Sequence, residues 1–411
     1  MSNAILVVGG GFAGITSAIE AAELGHEVYL VEKLPWLGGR VAQLNKYFPK
    51  LCPPSCGLEI QFQRIRKNPL IKCITMAEVA GFAGTSGNYT IKVCLKPRHT
   101  VAHNVDFSLL ASTLDGLAPS EFELGLTTRK ALYKAMPFAW PDRWVLDPKT
   151  LSQTDAARIA GNKFLNIGEK AREIELNVGS IVVATGWQPY PLANLPNLGA
   201  GQIKNCISNM QLERLASAFG PTGGVIRRPS DGKIPMSVAF AQCAGSRDQN
   251  HLNYCSYVCC LATFKQCLYL AEQSPNTRVT IYYIDLRAPG RYVNVLEKVQ
   301  ALPNVRFVKG KVAQALQADN DRVVFVAEDE LTGRKEAREY DLGVLATGMQ
   351  PSLANAGLAL PMPLDDDGFV AGGEKAGIFS AGCCKMPLDV SRSAQSGTAA
   401  ALKATQIASG R

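Results

Sequence analysis

The sequence predicts an α/β protein built on Rossmann-like dinucleotide-binding folds, and three observations carry that prediction. The chain opens on a short apolar run, Ala4-Ile5-Leu6-Val7-Val8, which passes through a glycine turn into an Ala-rich stretch reaching Leu24, the order strand, turn, helix. A second apolar run, Glu27-Val28-Tyr29-Leu30-Val31, follows at once and ends at the acidic residue Glu32. At 411 residues, 47% of them hydrophobic and only 19% charged, the chain is too long for one ordinary core and too apolar to be disordered.

In the first turn Gly9, Gly11 and Gly14 fit the G-x-G-x-x-G pattern. The first glycine makes the tight turn, the second lets backbone approach a pyrophosphate, and the third lets helix pack on strand. Phe12 and Ala13 then open a helix whose N-terminus meets the phosphate. Glu32, eighteen residues after Gly14, ends the second strand and can accept hydrogen bonds from ribose hydroxyls, with Lys33 beside it.

The step Gly38-Gly39-Arg40 resembles the "GG" step of flavoproteins with two dinucleotide-binding domains, the glutathione and thioredoxin reductase superfamily, which implies FAD as the bound dinucleotide. Three further stretches carry the same resemblance: Val182-Val183-Ala184-Thr185-Gly186, Val344-Leu345-Ala346-Thr347-Gly348 and Gly377-Ile378-Phe379-Ser380-Ala381-Gly382. It implies a thioredoxin/glutathione reductase type of fold, with a discontinuous FAD domain (1–235 and 341–411) around a second Rossmann-like domain (236–340). The flavin set it implies comprises Gly9, Gly11, Phe12, Ala13, Gly14, Glu32, Lys33, Gly39, Arg40, Val79, Ala184, Thr185, Gly186, Gly382, Cys383, Ser393 and Ala394. Cys383 stands where the superfamily has an Asp that holds the ribityl chain. A helix starting near Ser393-Ala394 is expected to aim its positive end at the flavin pyrimidine edge.

The second domain is expected to begin on the strand Ile234-Pro235-Met236-Ser237-Val238-Ala239-Phe240. Its turn, Ala241-Gln242-Cys243-Ala244-Gly245-Ser246, has one glycine, so close approach of a nicotinamide pyrophosphate is not provided for. Instead Cys243, Cys255, Cys259 and Cys260 follow a C-x11-C-x3-C-C spacing, with Cys255 and Cys259 expected one helical turn apart on a common face. Four soft thiolates suit a [4Fe–4S] cube, with buried inert thiols, a vicinal disulfide and zinc as the competing readings.

The stretch from Cys243-Ala244-Gly245-Ser246-Arg247-Asp248 to Tyr254-Cys255-Ser256-Tyr257-Val258-Cys259-Cys260 resembles an element of the heterodisulfide reductase A subunits. So do the stretch from Glu121 to Tyr133 and the run Gly382-Cys383-Cys384-Lys385-Met386-Pro387-Leu388-Asp389. The resemblance implies a flavin in the core and a [4Fe–4S] cluster in the pseudo-nicotinamide domain. It further implies a homodimer that docks iron–sulfur subunits of a heterodisulfide-reductase-like complex. Residues 97–165 form an insertion that lacks the cysteines of a ferredoxin-like segment. With no further cluster domains in the chain, the short form of bacterial sulfur oxidisers, or the related subunit of quinone-interacting oxidoreductases, is the form expected.

Cys52 and Cys56 flank Pro53-Pro54-Ser55 thirteen residues beyond Gly39, the region where glutathione-reductase-type enzymes carry a redox disulfide. They found the rival reading, a free-standing NAD(P)H-dependent disulfide reductase. A third reading is a flavin-bearing assembly subunit without redox activity. Trp36, Phe138, Trp140 and Trp144 are expected to cover a core or a subunit contact. His26, His99, His103 and His251 are expected at the surface, and Cys73, Cys94, Cys206 and Cys267 as small buried hydrophobes. Lys and Arg exceed Asp and Glu by 43 to 35, a surplus of +8 not gathered into runs, so a nucleic-acid partner is not expected. No leader or apolar span is read, so a cytoplasmic protein without membrane insertion is expected.

Overall fold

The computed structural model describes residues 2–48, 50–101, 105–199, 201–354 and 358–410. The chain forms two compact units, Met1–Trp187 with Pro351–Arg411, and Gln188–Gln350.

The first unit is built on a five-stranded parallel sheet in the order Ile378–Ser380, Ser180–Val183, Ile5–Val8, Val28–Glu32, Ile71–Thr75. Its central strand is buried on both faces, which is why it reads as an unbroken apolar run. Helix Phe12–Glu23 and the C-terminal helix Val390–Ala408 cross over one face on small residues: a Cβ at Gly397 would lie 2.5 Å from the Ala13 carbonyl oxygen. Ser17 Oγ locks that crossing by donating to the Gly397 carbonyl at 2.9 Å. An antiparallel meander of Ala77–Thr85, Asn88–Leu95 and Arg172–Val178 joins the sheet.

The chain leaves that meander after Leu95 and rejoins it at Arg172. The excursion has a small core of its own, including Phe107, Leu114, Leu132, Leu146 and Ile159. The aromatics join it inward to the main core of this unit. Trp36 meets Phe122 edge-on at 5.7 Å, and Trp140 stacks on Phe62 at 5.9 Å.

The second unit has a parallel sheet ordered Cys206–Ser208, Leu342–Thr347, Ser237–Ala244, Arg278–Tyr283, Val305–Lys309, and an antiparallel meander of Val312–Gln317, Val323–Asp329 and Arg334–Tyr340. Residues 188–235 cluster with this unit, ahead of the expected start at 236, because Cys206–Ser208 pairs alongside Leu342–Thr347 and helix Asn209–Ala216 follows it. Gln266 Nε2 fastens that helix to helix Cys259–Gln273 by donating to the Asn209 carbonyl and to Glu213, both at 2.8 Å. The strand expected over 234–240 runs instead from Ser237 to Ala244, with Met236 exposed before it. That shift carries Cys243 into the strand's last residues, at a left-handed φ of 57°.

Two expectations about histidine are corrected. His26 and His99 are buried, their Nδ1 atoms 3.0 Å from the Asn3 carbonyl and 2.9 Å from the Asn166 carbonyl respectively. His103 lies outside the described residues. Cys206 and Cys267 are buried as expected, whereas Cys73 and Cys94 are half-buried.

Candidate functional site: a dinucleotide cradle and a four-thiol turn

In the first unit the glycine turn divides its labour as the spacing predicts. Gly9 takes φ 108°, and a Cβ there would strike the Ala184 carbonyl oxygen at 2.3 Å. Gly14 lets the helix sit on the strand, since its Cβ would lie 1.9 Å from the Gly9 carbonyl oxygen. At Gly11, by contrast, a Cβ would meet nothing within 4 Å. This open backbone caps helix Phe12–Glu23, whose Phe12 and Ala13 N–H groups begin the free end.

The neighbouring segments close around the same turn. Gly38 N–H donates to the Gly10 carbonyl at 2.8 Å, and a Cβ on Gly39 would approach Gly11 Cα to 3.0 Å. Arg40 is half-buried, with Nη1 donating to Gln43 Oε1 at 2.9 Å, and burial lowers its pKa. Glu32 is buried and accepts from Gly10 N–H at 2.6 Å and Leu34 N–H at 2.8 Å, while desolvation pushes its carboxyl above the ordinary range. Lys33 is exposed, and Val79 packs in one core cluster with Val8, Val31 and Val183.

Thr185 and Gly186 complete this side. The Thr185 hydroxyl oxygen is buried without a hydrogen-bond partner among the described residues. Gly186, at φ 70°, also faces open space. An orphaned hydroxyl and two open glycines fit a bound dinucleotide that would accept from the first and lie against the others.

The C-terminal segment departs from the expectation. Its helix begins at Val390, three residues before Ser393, because Asp389 caps it by accepting from Arg392 N–H at 2.8 Å. Ser393 and Ala394 therefore lie inside the first turns. Gly382 N–H donates to Ser396 Oγ at 3.1 Å, and Cys383 Sγ, buried, donates to the Leu388 carbonyl at 3.4 Å and lies 3.6 Å from Ser393 Oγ. The Asp389 cap went unread in the sequence, although an Asp directly before a helical run is its ordinary signal.

Cys52 and Cys56 bracket the start of helix Pro54–Lys67; Cys52 is half-buried, Cys56 exposed, and both are free thiols. Tyr47 sits against them: its N–H donates to the Cys52 carbonyl at 3.0 Å, and burial together with the two sulfurs raises its phenol pKa.

In the second unit the corresponding turn is built differently. Its lone glycine, Gly245, at φ 71°, is covered: a Cβ there would lie 2.3 Å from the Tyr190 ring. Gly348, at the end of the neighbouring strand, is covered too, by Leu252 at 2.7 Å and Ser246 at 3.0 Å. The loop between Gly245 and helix Cys259–Gln273 thus lies over Gly348, while a cavity of about 280 Å³ stays open beside Ala241, Gln242, Cys243, Ala244 and Gly245.

That loop and its flanks carry the four thiols. Cys243, Cys259 and Cys260 are buried and Cys255 is half-buried. The helix starts at Cys259, so Cys255 lies in the loop and not one helical turn before Cys259 on a common face. Cys255 Sγ accepts from Tyr257 N–H at 3.3 Å, Cys259 Sγ donates to the Thr347 carbonyl at 3.5 Å, and Cys260 Sγ to the Asp285 carbonyl at 3.8 Å. Burial, then the nearness of the other three sulfurs, pushes Cys259 well up; burial lifts Cys260 to about 11; burial also raises Cys243, opposed by Arg247. Among the described residues no three His, Cys, Asp or Glu side chains converge on a single-ion site. A cube binds each thiolate at a different iron and so takes a wider set than one ion does. Sequence reasoning also missed Asp285, whose carboxylate pairs with both Arg247 and Arg287.

Comparison with known proteins agrees with this geometry. A family model for FAD-dependent oxidoreductases matches residues 4–49, the strand, glycine turn and acidic strand end described above. T. acidophilum thioredoxin reductase superposes with a TM-score of 0.52 at 15% identity, over 98% of both chains. Lactococcus lactis thioredoxin reductase gives 0.53 at 13% identity over the whole of both. Fold and cradle together define an oxidoreductase of the FAD-dependent class with a thioredoxin reductase-like architecture.

Sequence relatives narrow this class. The chain is 37% identical, over 98% of its length, to the second iron–sulfur A subunit of the CoB–CoM heterodisulfide reductase of Methanopyrus kandleri, and covers 64% of that protein. It is 34% identical, over 99% of its length, to the A subunit of the ferredoxin/F420H2-dependent CoB–CoM heterodisulfide reductase of Methanosarcina acetivorans, and covers 53% of it. Over nearly its whole length the chain is a homologue of the heterodisulfide reductase A subunits, while spanning less than two thirds of these relatives. Among the described residues no helix is long and apolar enough to cross a membrane.

Proposed function

We propose that this chain is the FAD-bearing electron-transfer subunit of a cytoplasmic heterodisulfide-reductase-like complex in sulfur metabolism. In this reading it works as a homodimer that exchanges electrons with iron–sulfur partner subunits. The observation that carries the reading is the contrast between the two turns. Gly11 and Gly186 face open space in the first unit, whereas in the second Gly245 is covered by Tyr190 and Gly348 by Leu252 and Ser246 of a loop that carries or adjoins four thiols. The first turn offers a pyrophosphate open glycines, and the second offers thiols where those glycines would stand.

When bound, FAD supplies the two-electron to one-electron exchange, and a [4Fe–4S] cluster supplies the one-electron relay. Gly11 would admit the pyrophosphate to the turn that Gly9 and Gly14 shape, Glu32 would take ribose hydroxyls, and Thr185 Oγ1 would donate the hydrogen bond it otherwise lacks. Cys243, Cys255, Cys259 and Cys260 are the cluster ligands in this reading. As cluster ligands they would have to lose their protons, and Arg247, which already favours the Cys243 thiolate, would offset part of the resulting negative charge. The Methanopyrus kandleri relative, named for its iron–sulfur content, supports the assignment.

The test is an anaerobic visible and EPR spectrum with iron and sulfide analysis, before and after reconstitution, beside a Cys259→Ala variant. Near four iron per chain in the parent and none in the variant is the expected result. FAD without iron under every condition overturns the relay and leaves the second reading, a dithiol of Cys52 and Cys56, favoured by two free and accessible thiols at one helix start. That reading requires bleaching of the flavin by NADH or NADPH in the isolated protein.

A further inference from the structure

We propose that Gln242 and Thr263 hydrogen-bond to the sulfur centre held by Cys243, Cys255, Cys259 and Cys260 and raise its reduction potential. The inference rests on the cluster reading above and names two residues that tune that site.

Both side chains are buried with polar atoms that meet nothing. Gln242 is 3% exposed, and neither its Nε2 nor its Oε1 has a hydrogen-bond partner among the described residues. Thr263 is fully buried, and its Oγ1 lacks a partner in the same way. A hydrogen bond left unmade inside a protein is costly, so two such groups close to one site point to an acceptor that the chain itself does not supply.

Each group stands beside a thiol of the set. Gln242 directly precedes Cys243, and Thr263 follows Cys259 by four residues, one turn further along the same face of helix Cys259–Gln273. Along strand Ser237–Ala244, Ala239 and Ala241 pack with Val312, Ala315 and Phe325 of the meander, in a cluster that includes no described residue of that helix. The helix packs on the same strand, so it covers the other face, and the alternation of side chains turns Gln242 towards it. Cys259 Sγ reaches the Thr347 carbonyl at 3.5 Å, and Thr347 pairs in register with Ala244, which places this thiol over the strand end two residues from Gln242.

The charge of the site gives these donors their effect. Four thiolates leave the centre negative after its own positive core is counted, and Arg247 and Arg287, sharing the single carboxylate Asp285, return one positive charge between them. Reduction adds an electron to a negative centre from which the burial of three thiols has removed water. Neutral donors aimed at its sulfurs stabilise the reduced form more than the oxidised one and so raise the potential. Gln242 Nε2 offers two N–H groups and Thr263 Oγ1 one O–H, and each donor keeps its proton throughout.

The experiment is a dye-mediated titration of the reconstituted full-length chain with dithionite, in which the EPR signal of the reduced centre is followed against potential. Parent, Gln242→Leu, Thr263→Val and the double variant are compared, each with its iron and FAD content and the melting temperature of its iron-free form. Leu and Val keep the bulk of the side chains and remove the donors. The midpoint should fall in both single variants, and in the double variant by at least a tenfold weaker reduction equilibrium, about 59 mV for one electron. Iron and FAD should stay at the parent level, and the iron-free variants should melt no lower than the parent. An iron-loaded variant pair that titrates with the parent overturns the tuning role while the cluster stands. So do iron-free variants that melt well below the parent, or loss of iron from both single variants, since either makes the two groups structural. A parent that takes up no iron overturns the cluster reading, and the tuning with it.

Discussion

At the scale of single residues, two glycines separated by two positions should respond in opposite ways to the same methyl group. Gly11 has an extended backbone, φ −75° and ψ −179°, that any residue adopts, and its Cβ direction is empty. Gly11→Ala should therefore fold with an unchanged melting temperature while losing FAD affinity by roughly tenfold or more, about 1.4 kcal/mol. Gly14→Ala drives a methyl into the Gly9 carbonyl oxygen and should cost about 1–3 kcal/mol of stability as overpacking does. Denaturation followed by circular dichroism, with FAD titrated separately, distinguishes the two. Thr185→Val belongs with Gly11: removing an orphaned buried hydroxyl leaves the apoprotein no less stable, but the flavin loses a donor worth about 0.5–1.5 kcal/mol. An apoprotein destabilised by that change would show that the hydroxyl already has a partner.

At the scale of elements, the insertion hangs on one buried carboxylate. Asp155 is fully buried and accepts from Asp115 N–H at 2.7 Å, Gly116 N–H at 2.8 Å and Ser152 N–H at 3.1 Å, while Ser152 Oγ caps the same helix in return. Although burial raises its pKa, these donors outweigh it and hold the carboxyl down near 2. A folded-state pKa below the unfolded value near 3.8 means that Asp155 stabilises above that value, and that its contribution is lost as pH falls towards 2. Asp155→Asn should remove that acid sensitivity and weaken the insertion by about 1–3 kcal/mol at neutral pH, read as faster amide exchange over residues 105–165. The same cap logic moved the C-terminal helix. Its start at Val390 was legible from Asp389 directly before it, but reading it from Ser393 gave weight to family spacing over local chemistry. Periodicity found the strands because burial on both faces leaves an apolar run. It could not find where the strand Ser237–Ala244 ends, since a left-handed Cys243 is a backbone choice that residue type does not announce.

At the scale of the whole molecule, the sequence discloses the two turns but not their difference in occupancy. Spacing identified Gly11 and the four cysteines, yet only three dimensions show that Tyr190 and Leu252 cover Gly245 and Gly348 while Gly11 and Gly186 stay open. Those covering residues lie tens of positions or more away in sequence, or inside an irregular loop, and no local pattern marks them. Each expected set falls within one compact unit: every expected flavin contact lies in Met1–Trp187 with Pro351–Arg411, and all four thiols lie in Gln188–Gln350. Loading of the two groups should therefore be separable. Gly11→Ala should lower FAD occupancy and leave iron at the parent level; Cys259→Ala should abolish iron and leave FAD at one per chain. Added FAD should then stabilise the Cys259→Ala protein as much as the parent, by about 2.7 kcal/mol at a free concentration one hundred times its dissociation constant. Loss of FAD from the iron-free variant, or of iron from the flavin-free one, would make the two ligand sets a single cooperative structure and remove the division of labour between the units.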